Sequence, residues 1–217
     1  MKTKVFIDGS AGTTGLRIFE RFESRDDVEL LKISPELRKD KEERKRLINA
    51  SDVTFLCLPD EAARESVSLV ENEKVRILDT STAHRTLPDW AYGFPELSEA
   101  HREKIRNGNR IAVPGCYATG FISLVYPMIA GAIMEPTVPV TAFGLSGYSG
   151  AGKKAIAIYE SEDRDSMYDA PREYALNQSH KHLKEMKAIT GLSREPLFSP
   201  IVCDYYSGMV MSVPLYT

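Results

Sequence analysis

The 217-residue sequence predicts an α/β fold, a doubly wound parallel sheet followed by an incomplete α+β domain. Three observations carry this expectation. Strand-like and helix-like stretches alternate through the first half, as parallel βαβ units require. A glycine-rich turn directly follows the first strand and opens a helix. After Ile111-Ala112-Val113 the texture changes, which sets the domains at 1–115 and 116–217.

The elements follow in order. Val5-Phe6-Ile7 is a short apolar strand, and Thr13–Ser24 is helical. Val28–Ile33 reads as a second strand. Asp40–Asn49 reads as a helix inside the mixed-sign run 38–46, which is expected to be a solvated face. Val53–Leu58 is a third strand, and Asp60 should cap a helix running through Val70. Val75–Leu78 is a fourth strand, ending at Asp79. In the second half a helix should run from about Cys116 to Ile133, perturbed at Pro127. Val138–Leu145 is strand-like, Lys153–Glu160 and His180–Ile189 are helical, and Phe198–Val202 and Met209–Pro214 are strands. The chain stops at Thr217 directly after an apolar strand, so the second domain is expected to be incomplete.

Composition narrows the function. Charged residues at 27% and hydrophobic ones at 42% match a soluble globular chain, and the net charge of −3 gives no reason to expect nucleic acid. Three cysteines without paired spacing argue for a reducing compartment, against a disulfide framework and against a metal site. The N-terminus lacks a signal-peptide core. The longest apolar stretch, Phe121–Met134, falls short of the roughly 20 residues a membrane span needs. A cytoplasmic protein, apart from membranes, is expected.

Four motifs could carry chemistry. Gly9-Ser10-Ala11-Gly12-Thr13-Thr14-Gly15 has glycines three apart between a strand and a helix. That spacing lets backbone approach a pyrophosphate at the helix N-terminus, as in a Rossmann-like dinucleotide site. No acid follows Glu29 in the second strand to hold a ribose hydroxyl, while Ser34, Arg38 and Lys39 could accommodate a 2′-phosphate. NADP is therefore favoured over NAD. Pro114-Gly115-Cys116-Tyr117 places a cysteine at a helix entry, where the dipole and amide groups favour a thiolate and can hold an oxyanion. Cys57, inside an apolar strand, and Cys203 fit a structural role instead.

From Gly147 to Lys153 the chain nearly spells a phosphate-binding P-loop, but Lys154 stands where a Mg²⁺-binding hydroxyl belongs. A nucleotide kinase is thus disfavoured. An anion-friendly loop fits better, with Ser146, Gly147 and Lys153 facing a phosphate. His180-Lys181-His182 is either a surface pair or the source of a general acid/base. His84 and His101 read as surface or loop residues. Arg85 could bind an anion or pair with an acid.

Taken together, FIDGSAGTTGLRI (6–18), LDTSTAHR (78–85), YGFPEL (92–97), VPGCYATG (113–120), SGYSGAGKKAIAIYE (146–160), HKHLKEM (180–186) and VCDYYSGMVMSVPL (202–215) resemble the shorter form of the N-acetyl-γ-glutamyl-phosphate reductase family. The resemblance implies NADPH-dependent reduction of an acyl phosphate to an aldehyde in arginine biosynthesis. It implies Cys116 as nucleophile, Gly9, Gly12 and Gly15 as cofactor loop, and a histidine of the 180–182 segment, here His180, as acid/base. It also implies a small-molecule substrate, a homo-oligomer (dimer or tetramer), and about ninety further residues after Thr217. Aspartate-semialdehyde dehydrogenase is the sibling alternative, and a non-catalytic NADP-binding fragment is the alternative of another class.

Overall fold

The computed structural model describes residues 2–10 and 12–215, in two compact units spanning 1–114 and 115–217. Unit one follows the alternation read from sequence. Its elements are β1 (Thr3–Asp8), α1 (Thr13–Glu23), β2 (Val28–Leu31), α2 (Lys41–Ala50), β3 (Val53–Leu56), α3 (Asp60–Ser68), β4 (Arg76–Asp79), β5 (Ala91–Tyr92), α4 (Glu99–Asn107) and β6 (Arg110–Ala112). The strands form one sheet in the order β2-β1-β3-β4-β6-β5, and every pairing is parallel.

Period-two alternation along β1 explains the double winding. Phe6 faces a core shared with Leu47 and Ile48 of α2 and Ala63 of α3. Val5 and Ile7 face the opposite side, against Ile18, Phe19 and Phe22 of α1. Both faces are thereby covered.

Several expectations need correction here. Asp60 does not cap α3. Pro59 occupies that position, and the Asp60 carboxylate accepts from the amide and hydroxyl of Thr82. The 38–46 run is not uniformly solvated, because Arg44 is buried (6% exposed). It shares the i, i+3, i+4 face of Leu47 and Ile48. His84 is no surface residue either. It is buried, bonded through Nδ1 to Asp79 Oδ2 at 2.6 Å, and stacked on Trp90 at 4.1 Å between ring centroids. Helix α4 went unread in the sequence, although Ser98 caps it by accepting from the His101 amide.

Unit two contains α5 (Cys116–Ala130), β7 (Thr141–Gly147), α6 (Lys153–Tyr159), β8 (Arg172–Glu173), α7 (Leu183–Thr190), β9 (Leu197–Cys203) and β10 (Met209–Ser212). Its sheet is mixed, in the order β10-β7-β9-β8, with only β7 and β9 parallel. Helix α5 retains Pro127 inside its last turn and packs on α7 and β10. Helix α7 begins later than expected, which leaves His180 in the segment before it.

Register assigns the two faces of this sheet. Ala142, Gly144, Phe198 and Pro200 alternate to the buried side. Gly144 is demanded there, since a Cβ would lie 2.5 Å from the Tyr117 ring. Phe143, Leu145, Leu197 and Val210 share the opposite face and are all exposed.

Candidate active site

The glycine turn lines a cavity of about 430 Å³ in unit one, together with Arg38, Lys39 and Arg44. Gly9 has φ of +88°, and a Cβ there would run into the Cys57 carbonyl. A Cβ on Gly15 would strike the Gly9 carbonyl, so α1 can start directly against the end of β1. Gly12 caps α1 in extended conformation with no side-chain cap bond. The amide groups of its first turn thus present a positive mouth without a capping side chain. This cradle of bare backbone and two basic side chains fits a dinucleotide phosphate.

Gly9, Ser10, Gly12 and Arg38 of the sequence-derived set come together on that cavity. Ser34 and Thr14 are exposed and do not line it. Ala11 lies outside the described residues, and Thr13 begins α1. Sequence reasoning missed Asp8 and Arg44, which line the cavity floor. Arg44 Nε meets Asp8 Oδ2 at 3.1 Å, Nη1 meets Glu65 at 2.8 Å, and Nη2 donates to Ser66 Oγ at 2.5 Å. A carboxylate at the end of β1 would repel a pyrophosphate; the buried guanidinium neutralises it. The signal was the spacing of Arg44, Leu47 and Ile48.

In unit two Cys116 is the first residue of α5 and is exposed, unlike buried Cys203. Gly115 caps the helix in extended conformation without a side-chain cap bond, as Gly12 does for α1. Here, however, the Gly115 amide donates to Glu185 Oε1 at 2.8 Å, and Glu185 is 2% exposed. Glu185 belongs to α7, so this bond ties the helix mouth at Cys116 to the element that follows His180. Cys57 has a different character: burial pushes its thiol up to about 11.

Tyr117 lies across the sheet over Gly144 and meets Ser146 Oγ through its hydroxyl at 2.6 Å. His180 stands edge-on to Tyr117 (5.8 Å), to Phe198 (5.2 Å) and to His182 (4.7 Å). Its Nε2 lies 3.3 Å from the Tyr174 hydroxyl. Burial, with the charge of Lys181 second, pushes the His180 imidazole down to about 4. The ring is therefore neutral at pH 7. Tyr174 went unread in the sequence, where a lone tyrosine in a polar stretch carries no signal.

The remaining candidates behave differently from expectation. The amides of Gly147, Tyr148 and Ser149 donate to the carbonyls of Gly208, Tyr205 and Tyr206. The amide cradle expected for an anion is thus closed by the chain itself. Lys153 is exposed at the start of α6. Arg85 is buried, its Nε donating to the Val113 carbonyl and its Nη2 to that of Thr80, both at 2.9 Å. It braces the loop after β4 with backbone partners instead of presenting an open anion fork. Among the described residues no group of three His, Cys, Asp or Glu is placed to hold a metal ion. Among them, too, no helix is long and apolar enough to cross a membrane.

Comparison with known proteins agrees with this geometry. A protein named N-acetyl-gamma-glutamyl-phosphate reductase from Trichormus variabilis is 50% identical over 218 aligned positions, covering 99% of this chain and 68% of that protein. The chain belongs to the N-acetyl-gamma-glutamyl-phosphate reductase family. A second member, from Rhizobium meliloti, is 47% identical, covering 100% of this chain and 70% of its own length. Within the reductase chain, residues 4–107 match the family described as "Semialdehyde dehydrogenase, NAD binding domain". Residues 116–217 match "Semialdehyde dehydrogenase, dimerisation domain". Among solved structures, aspartate semialdehyde dehydrogenase II from Vibrio cholerae matches with a TM-score of 0.71 at 15% identity, over 98% of this chain and 74% of that one. The Candida albicans aspartate semialdehyde dehydrogenase solved with NADP gives 0.66 at 15% identity, over 100% of this chain and 72% of that one. At such identities these structures establish a shared fold: a Rossmann-like parallel sheet followed by a mixed-sheet domain.

Proposed function

We propose that this reductase-family chain converts N-acetyl-γ-glutamyl phosphate to N-acetyl-L-glutamate 5-semialdehyde, with release of phosphate, through a thioester on Cys116. The observation that carries this reading is the exposed cysteine at the uncapped mouth of α5. Relatives sharing about half their residues with the chain bear that substrate in their name, which favours it over an aspartyl substrate.

The turn at Gly9–Gly15 would hold the pyrophosphate of NADP, with Arg38 and Lys39 on its 2′-phosphate. When bound, the reduced cofactor supplies hydride. The chain's own residues do the rest. The Cys116 thiolate, at the mouth of α5, attacks the acyl carbonyl and expels phosphate. First-turn amides of α5 and the His180 ring stabilise the oxygen anion. Ser146 and Lys153 remain the proposed contacts for the departing phosphate. The exposed apolar face bearing Phe143, Leu145, Leu197 and Val210 would be covered by a second copy, in a cytoplasmic homo-oligomer.

The direct test is phosphate-dependent NADP reduction by N-acetylglutamate semialdehyde on this 217-residue chain. Turnover that vanishes in Cys116→Ala supports the reading; robust turnover in that variant rules out the covalent route.

A further inference from the structure

The hydrogen bonds around His180 run in one direction. Its Nδ1 accepts from the His182 amide at 3.1 Å. An amide can only donate, so Nδ1 carries the lone pair and the neutral ring keeps its proton on Nε2. That N–H points to the Tyr174 oxygen, 3.3 Å away. The Tyr174 hydroxyl is hydrogen-bonded in turn to that of Tyr117, and the Tyr117 oxygen lies 2.6 Å from Ser146 Oγ. Tyr117 from α5, Tyr174, and Lys181 and His182 on the histidine's own segment surround the ring. Tyr117, which stands edge-on to His180, directly follows Cys116 in α5.

A base in the usual sense needs a free lone pair facing the thiol. Here one lone pair is occupied by the backbone and the other nitrogen is already protonated. We infer that His180 acts only as a hydrogen-bond donor to oxygen, never as the base that ionises Cys116, and that Tyr174 is the positioning residue that holds its Nε2–H in place. This deepens the proposed reductase reaction and rests on it for the identity of the oxygen. The chemistry balances without such a base. The sulfur anion attacks and phosphate departs with the bonding pair; after reduction the alkoxide re-forms its carbonyl and returns the pair to sulfur. The sequence begins and ends on the thiolate, whose original proton is lost to water. Burial of the imidazole, which lowers it to about 4, agrees with a ring that stays neutral. A neutral imidazole in a donor role is chemically sound.

The test separates donor from base. Cys116 is alkylated with iodoacetamide across pH in the full chain, in His180→Asn, in His180→Ala and in Tyr174→Phe. The midpoints should coincide, because no histidine base takes the proton of the thiol. A midpoint raised by a full unit or more in either His180 variant overturns the inference. In turnover, His180→Ala should lose on the order of a hundredfold in kcat, as for removal of one oxyanion donor. His180→Asn, which keeps an N–H donor but cannot shuttle a proton, should recover roughly tenfold of that; equal losses in the two would refute a donor role. Tyr174→Phe should lower kcat several-fold with KM unchanged, and NMR of the labelled imidazole should show a single Nε2–H tautomer giving way to a mixture. An unchanged tautomer and kcat in Tyr174→Phe would remove Tyr174 from the proposal. If the unmodified chain gives no turnover, the reductase reading fails, while alkylation and NMR still decide the histidine's role.

Discussion

Helices α1 and α5 open alike and serve different ends. Each starts at a glycine in extended conformation, with φ of −75° at Gly12 and −73° at Gly115. Neither has a side-chain cap or an acid in its first turn. What differs is the surroundings. The mouth of α1 faces a cavity with Arg38 and Lys39 on its wall, so its positive end is kept for a ligand. The mouth of α5 starts on an exposed cysteine, Cys116, and a buried Glu185 carboxylate anchors the cap residue. An uncapped helix N-terminus is therefore ambiguous until its neighbours are known. Basic side chains line the cavity at the first mouth, and an exposed cysteine starts the helix at the second.

The sharpest way to break this contrast is Cys116→Ala. Turnover should fall by about a thousandfold or more, as for loss of a covalent nucleophile. NADPH affinity, measured by fluorescence titration, should be unchanged; a large loss would mean that α1's mouth is not the separate binding feature described. Next in size is thiol reactivity. At pH 7.5, Cys116 should react with iodoacetamide about a hundredfold faster than Cys57, whose thiol is pushed up to about 11. Peptide mapping of the labelled chain checks this, and preferential labelling of Cys57 would reverse the assignment. Arg38→Ala should weaken NADPH roughly tenfold while leaving NADH and the alkylation rate of Cys116 alone, from the loss of one charged hydrogen bond. Equal losses for both cofactors would detach Arg38 from the 2′-phosphate.

Smallest is Glu185→Ala, which leaves the buried Gly115 amide without its acceptor. A cost of about 1–3 kcal/mol corresponds to a melting temperature lower by roughly 3–10 °C for a chain of this size. No shift would show that the carboxylate does not hold the α5 mouth. Acid adds a signed effect from the histidine. Its imidazole lies near 4 in the folded chain and near 6.5 when unfolded, so the unfolded state binds the extra proton first. Stability should fall as pH drops from about 6.5 toward 4, and His180→Asn should flatten that part of a melting-temperature profile.

Much of unit one was legible because parallel strands bury both faces and helices between them must be amphipathic. Val5-Phe6-Ile7 and the glycine spacing sufficed for the sheet and its turn. The helix entry at Cys116 was also legible, from the glycine before it and the apolar run after it. Long-range pairing was not. Nothing local ties Gly115 to Glu185 or Asp8 to Arg44; these are set by how the chain folds back. The Ser146–Gly152 turn misled for a related reason. Its composition suits an anion, but its amides meet the loop between β9 and β10 some sixty residues later.

The buried pair of Asp8 and Arg44 constrains how this chain can diverge. Replacing Arg44 removes the guanidinium from the buried Asp8 carboxylate, a change that costs about 3–5 kcal/mol for a buried pair. Replacing Asp8, 36 residues away in sequence, leaves Arg44 still paired with Glu65 and bonded to Ser66. The basic run around residues 38–46 looks interchangeable to evolution, yet it contains one arginine that cannot change hands in a single step.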